Sequence, residues 1–163
     1  MSDSETALTT LAEQLGECLK FRSARIATAE SCTGGWAGQV ITAVPGSSHW
    51  FERGFITYTN NAKREMLGVS TDILSRYGAV SVQCARAMAE GALANSRAQY
   101  ALAITGIAGP GGGSAEKPVG TVCFAWAGID KETRSTLEHY EGDRQAVRRQ
   151  AVEHALKGMI DFV

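Results

Sequence analysis

Leu8, Leu11, Ala12, Leu15 and Leu19 recur at helical spacing behind a polar start, which predicts an amphipathic helix over residues 6–21 with one face in a core. Residues 1–5 are expected as a flexible N-terminus and 6–163 as a single domain. Residues 25–30 (RIATAE) are short and β-compatible; the run breaks at Ser31-Cys32-Thr33-Gly34-Gly35 into a second helical stretch that stops before Pro45-Gly46. Residues 51–59 (FERGFITYT) are rich in aromatic and β-branched side chains and predict another strand. Asn60-Asn61 then serve as a turn or N-cap for a short helix holding Lys63.

Thr71 is the expected cap of a short helix ending at Gly78, and Ser81 that of a longer one. In the second, Ala85, Met88, Ala89, Ala92 and Leu93 form a narrow stripe suited to close packing on a sheet. Residues 100–105 (YALAIT) predict a buried strand, and the glycines and Pro110 make residues 106–113 a loop. Residues 118–127 and 133–140 predict two strands around a Gly128-Ile129-Asp130-Lys131 turn. A last helix from Asp143 puts Ala146, Val147, Gln150, Ala151, His154, Ala155 and Met159 on one face. Strands alternating with helices predict an α/β fold, a three-layer α/β/α sandwich whose mixed, mostly parallel sheet gains an antiparallel edge from the hairpin. Sites in such sheets lie beyond the carboxyl ends of strands.

Composition narrows the function classes. With 163 residues the chain is long enough to bury roughly 70% of its unfolded surface without staples. Sixteen Lys and Arg against 17 Asp and Glu leave a net charge of -1, which argues against nucleic acid as a partner. No apolar run approaches a membrane span and the start lacks a signal-peptide pattern, so a cytoplasmic location is expected. Cys18, Cys32, Cys84 and Cys123 are scattered without a CxxC pair, which predicts reduced thiols and no metal site.

Three loops carry candidate chemistry. Ser31 follows a strand and precedes a helix, between the small residues Ala29 and Thr33. That is a loose relative of the G-x-S-x-G elbow, in which the helix start aims N–H groups at an oxyanion. Ser31 or Thr33 also suits a plain N-cap, and Cys32 is intrinsically the better nucleophile. The histidine bases open to a serine are His49, His139 and His154; His154 falls on the apolar face of the last helix and His139 in a strand that suits an edge, which leaves His49, near the second strand, as the candidate. Lys63 is the alternative base if burial keeps it neutral, against its reading as a solvated lysine. The glycine loop 106–113 suits an anion but matches neither phosphate-loop spacing. Arg144, in Gly142-Asp143-Arg144, suits a bidentate phosphate contact, with Arg148 and Arg149 one turn on; Asp143 as N-cap beside solvated arginines explains the same string.

The strings AESCTGG (29–35), YTNNAK (58–63), GAVS (78–81), TGIAGPGGGSAEKPVGTV (105–122) and GDR (142–144) together resemble the CinA C-terminal domain family, and within it the stand-alone nicotinamide-nucleotide amidases. The resemblance implies hydrolysis of the carboxamide of nicotinamide mononucleotide (NMN) to nicotinate mononucleotide and ammonia in pyridine-nucleotide recycling. It implies a serine/lysine mechanism without metal or cofactor. Ser31 would be the nucleophile, Lys63 the base and Tyr58 an auxiliary hydroxyl. Cys32, Thr33 and Gly34 would lie on the substrate side, with Thr105, Gly106, Gly109, Gly111, Gly112 and Arg144 binding the nucleotide. Thr59 stands where the family string has serine. A homo-oligomer is expected. The competing expectation is a silent CinA-like module that acts through a nucleotide or a partner.

Overall fold

The computed structural model describes residues 2–163. Its five-stranded sheet has the order β2-β1-β3-β4-β5, built from β1 (Ile26–Glu30), β2 (Phe51–Ile56), β3 (Tyr100–Gly106), β4 (Thr121–Gly128) and β5 (Lys131–His139). β1 pairs in parallel with β2 and β3, while β4 is antiparallel to both neighbours, so four of the five strands point one way. Helices α1 (Asp3–Phe21), α2 (Trp36–Thr42) and α6 (Arg144–Phe162) pack together on one face; α3 (Asn60–Leu67), α4 (Thr71–Tyr77) and α5 (Val82–Ala94) pack on the other. This is the expected three-layer sandwich.

The two faces differ in side-chain size because successive strand residues point to opposite sides. Ile26, Leu102, Ile104, Phe124 and Trp126 meet α1, α2 and α6. Ala27, Ala29, Ala101, Ala103, Ala125 and Ala127 meet α5, whose own Ala85, Ala89 and Ala92 bring its backbone close to the sheet. The small-residue stripe read along α5 is therefore its sheet-facing side. On α6 the buried row is Val147, Ala151, Val152, Ala155, Leu156, Met159 and Phe162, so Gln150 and His154 lie at the rim of the predicted face rather than at its centre.

Several boundaries differ from expectation for local reasons. α1 begins at Asp3 rather than Thr6, since Ser2 and Glu5 form a reciprocal capping box; residues 3–5 are its first turn and not a flexible tail. Residue 1 lies outside the described residues. The cap of α3 is Thr59 instead of Asn60 or Asn61, and that of α4 is Ser70 instead of Thr71. Ser81 and Asp143 cap α5 and α6 as expected.

Adjacent strands β1 and β2 send their following helices to opposite faces, which opens a crevice at their carboxyl ends. The end of β3 and the residues leading from β5 into α6 reach the same edge. Among the described residues, no helix is long and apolar enough to cross a membrane.

Candidate active site

The turn after β1 is built around a buried carboxylate. Ser31 N donates to Ile104 O at 3.0 Å and Thr57 N to Glu30 O at 2.8 Å, so strand pairing continues up to the turn. Gly34 N then donates to Ser31 O, and Gly34 and Gly35 take φ of +59° and +102°, backbone that glycine adopts without strain. Glu30, 1% exposed, accepts from Thr33 Oγ1 at 2.6 Å, Ala37 N at 2.9 Å and Gly38 N at 3.1 Å. The first free N–H groups of α2 are thereby committed to Glu30. Neither Ser31 nor Thr33 is the cap, and the start of α2 is not open to an oxyanion as the elbow analogy predicts.

Lys63 arrives from the other face. Thr59 Oγ1 accepts from Ala62 N at 3.0 Å and starts α3 immediately after Tyr58, which sets Lys63 one turn into the helix. Its Nζ lies 3.0 Å from Ser31 Oγ, 2.9 Å from Thr57 O and 3.2 Å from Tyr58 O. The side chain is 1% exposed, and no carboxylate pairs with it among the described residues. Burial holds its pKa below the ordinary lysine value of 10.5, because an unpaired cation is costly away from water. The solvated-lysine reading is thus excluded.

Cys32 points into the protein, 6% exposed, and burial pushes its thiol up to about 11. A thiol raised in this way is a poor nucleophile, and among the described residues the hydroxyl on Lys63 Nζ is that of Ser31. The histidines are elsewhere. His49 contacts Gly46 O ahead of β2, at the opposite end of the sheet, His139 contacts Val119 O, and His154 packs on Phe124.

A cleft of about 190 Å³ is lined by Ser31, Cys32, Tyr58, Asn60, Lys63, Ala79, Val80, Thr105, Gly106, Ala108 and Arg144. At its open side the Tyr58 hydroxyl accepts from Arg144 Nη2 at 3.2 Å, while Arg144 Nη1 donates to Gly109 O at 2.7 Å. Thr105 Oγ1 donates to Ala79 O at 2.9 Å, tying β3 to the segment ahead of α5. Of the expected site residues, Ser31, Cys32, Tyr58, Lys63, Thr105, Gly106 and Arg144 line the cleft. Thr33 and Gly34 form the turn behind it, and Gly109 is held by its carbonyl. Gly111 and Gly112 are exposed and outside the lining. Tyr58 needs correcting in detail: its main-chain carbonyl touches Lys63, whereas its hydroxyl belongs with Arg144.

Sequence reasoning missed Glu30, Asn60, Ala79, Val80 and Ala108, and it left Arg148 as a solvated candidate. Arg148 Nε donates to Cys32 O at 3.0 Å and Nη2 to Thr33 O at 3.2 Å. Its spacing of four from Arg144, which puts both on one side of α6, was the available signal. Among the described residues, no group of three or more His, Cys, Asp or Glu could hold a metal ion.

The profile described as the CinA C-terminal domain matches residues 8–163. The chain belongs to the CinA C-terminal domain family. It is 56% identical over 157 residues to the Escherichia coli K12 protein "Nicotinamide-nucleotide amidohydrolase PncC", covering 96% of this chain and 94% of that one. The protein of the same name from Pseudomonas putida is 50% identical over 155 residues, 95% and 96% of the two chains. The structure of the competence/damage inducible protein CihA from Agrobacterium tumefaciens matches with a TM-score of 0.92 and 45% identity over 95% of this chain and 94% of that one. A CinA-like protein of Akkermansia muciniphila is 54% identical over 137 residues, but they make up only 33% of its length. The CinA domain thus occurs both alone and within longer chains.

Proposed function

We propose that this CinA-family chain is a nicotinamide-nucleotide amidohydrolase that converts NMN to nicotinate mononucleotide and ammonia through an acyl-enzyme on Ser31. One observation carries the reading: Lys63 Nζ is buried, without a carboxylate partner among the described residues, 3.0 Å from Ser31 Oγ. A neutral amine has two N–H donors and one lone pair. Thr57 O and Tyr58 O are placed to take the two donors, which leaves the lone pair for the Ser31 hydroxyl.

In the proposed sequence, Lys63 takes the proton from Ser31 as Oγ bonds to the carboxamide carbon. The tetrahedral oxyanion needs donors. Gly34 N is committed to Ser31 O, Trp36 N to Thr33 O, and Ala37 N and Gly38 N to Glu30. Among the described residues the Cys32 N–H is bonded only to its own thiol, and Cys32 lines the cleft, which makes this N–H the donor the turn offers. As the C–N bond breaks, Lys63 returns its proton to the amine and ammonia departs. Water then loses a proton to Lys63 and attacks the ester, releasing the carboxylate product and restoring Ser31 Oγ–H. The positively charged pyridinium ring makes the carbonyl more electrophilic.

Arg144 serves the phosphate. It lies in the first turn of α6, where there is no acidic residue, and the helix dipole there repels cations and attracts anions. An arginine in that position, with Arg148 one turn on, is unfavourable for the helix and favourable for a phosphate. Remote binding of this kind orients the reacting group. The names carried by the E. coli and P. putida relatives support the substrate.

The test is product formation from NMN, nicotinamide riboside and nicotinamide by the purified chain. The proposal predicts ammonia and nicotinate mononucleotide from NMN, with much weaker turnover of the two compounds that lack phosphate. No ammonia from any of them refutes it and returns the weight to a nucleotide- or partner-binding module.

A further inference from the structure

We infer that Asn60 is the residue by which the cleft reads the ribose of the nucleotide: its side-chain amide donates to one ring hydroxyl and accepts from the other, so that a ribonucleotide is distinguished from its deoxy analogues. That role rests on the amidase reading. Asn60 lines the cleft with Lys63 and is exposed, and it has no work in the fold. Thr59 caps α3, accepting from Ala62 N at 3.0 Å, so capping, a frequent duty of asparagine at a helix start, does not account for it. Asn61 accepts from Arg64 Nη1 at 3.0 Å, whereas no hydrogen bond engages the Asn60 side chain among the described residues.

Helical spacing places Asn60 beside the base. It stands three residues before Lys63 in α3, and residues at that spacing are neighbours on one side of a helix, with Cβ atoms about 5–6 Å apart. Lys63 enters the cleft from that side and reaches Ser31 Oγ at 3.0 Å; Asn60 lies one turn nearer the start of α3 and Tyr58. The surroundings grade from dry to wet along the same line. Ser31 and Lys63 are 8% and 1% exposed, Tyr58 is 59% exposed, and Asn60 is exposed like Tyr58. With the carboxamide at Ser31 and the phosphate at Arg144, Asn60 meets the part of the nucleotide between them.

The chemistry of the lining selects the ribose. Arg144 has donors only, which match phosphate oxygens. Ala79, Val80 and Ala108 bring apolar side chains to the cleft and suit the pyridinium ring. Thr105 Oγ1 donates to Ala79 O at 2.9 Å, and the Tyr58 hydroxyl accepts from Arg144 Nη2 at 3.2 Å. A ribose hydroxyl both donates and accepts, and two of them stand on adjacent carbons. A side-chain amide presents an acceptor oxygen and an NH2 donor side by side. Among the described residues, Asn60 is the lining side chain that has both and uses neither.

The experiment is kcat/KM for ammonia release from NMN, 2′-deoxy-NMN and 3′-deoxy-NMN by the full chain and by Asn60→Ala and Asn60→Leu, with melting temperatures. One neutral hydrogen bond is worth on the order of fivefold, so the unaltered protein is expected to use each deoxy analogue about fivefold less well than NMN. In Asn60→Ala that preference should vanish, the three substrates agreeing within about twofold. Asn60→Leu keeps the outline of the side chain without its hydrogen bonds and should level the three in the same way. If Asn60→Ala fails to fold, Asn60→Leu decides on the same ratios. A preference for NMN that survives in the variants overturns the inference, and so does an unaltered protein that uses either analogue as well as NMN. An equal loss on all three substrates with the preference intact puts the amide at the oxyanion or in the fold and overturns it too. An unaltered protein that releases no ammonia from NMN refutes the amidase reading and takes this role with it.

Discussion

The cleft has a basic side chain at its floor and another at its mouth, and they are treated oppositely. Lys63 is buried, meets two carbonyls and a hydroxyl, and has no carboxylate partner among the described residues. Arg144 is exposed and meets the Tyr58 hydroxyl and Gly109 O. Burial drives a lysine toward its neutral form, where it becomes a base, whereas arginine stays charged under any such pressure and serves as an anchor. The same sheet edge thus provides a dry end for proton transfer and a wet end for anion recognition. Changes at the floor should appear in kcat and changes at the mouth in KM.

The largest effect is expected at the floor. Ser31→Ala should lower turnover by roughly a thousandfold or more with the fold intact, because it removes the covalent route. Lys63→Met should lower it comparably and abolish the pH dependence of the residual rate. In the unaltered protein kcat/KM should rise as pH passes the lowered pKa of Lys63, since the base must be neutral. Stability should rise with pH as well. Below its folded-state pKa, Lys63 is protonated in both states and folding must bury a cation; above 10.5 it is neutral in both and the penalty is gone. Melting curves of Lys63→Met should therefore show a gain that is largest at low pH and vanishes as pH rises above 10.5.

At the mouth, Arg144→Ala should raise KM for NMN about tenfold, one lost charged contact to a phosphate, and leave kcat nearly unchanged. An unchanged KM would remove Arg144 from the phosphate site. Tyr58→Phe keeps the main-chain carbonyl on Lys63 and removes only the hydroxyl on Arg144, so a change of about threefold in KM is expected. A collapse of kcat there would place the phenol in the chemistry instead. The smallest effect should come from Thr59→Ser, which preserves the hydroxyl cap of α3. Thr59→Ala should cost about 1 kcal/mol in denaturant unfolding.

Much of this was legible in the sequence. Short β-branched, aromatic and apolar runs, the small stripe of α5 and the caps Ser81 and Asp143 carry local signals strong enough to place the sandwich and its carboxyl edge. The Ser2 to Glu5 capping box was readable too, as an S-x-x-E string outside the apolar periodicity that set the predicted start at Thr6. Glu30 was not readable, because a carboxylate at a strand end looks the same whether it is solvated or buried under the first turn of a helix. Nor was the boundary within the glycine loop. Gly106 and Gly109 are engaged by their neighbours while Gly111 and Gly112 lie in solvent, and composition alone treats all four alike. Spacing brought Ser31 and Lys63 to one edge. Only the tertiary structure supplied the two carbonyls that aim the lysine.

The central claim is that a neutral Lys63 activates Ser31 to form an acyl-enzyme. Rapid quenching of the chain during turnover of NMN, with mass spectrometry of the peptide carrying Ser31 and Cys32, tests it most directly. The account predicts a nicotinyl-mononucleotide adduct on Ser31 that decays at the rate of turnover and is absent from Ser31→Ala and Lys63→Met. An adduct on Cys32, or full turnover by Ser31→Ala, would contradict it.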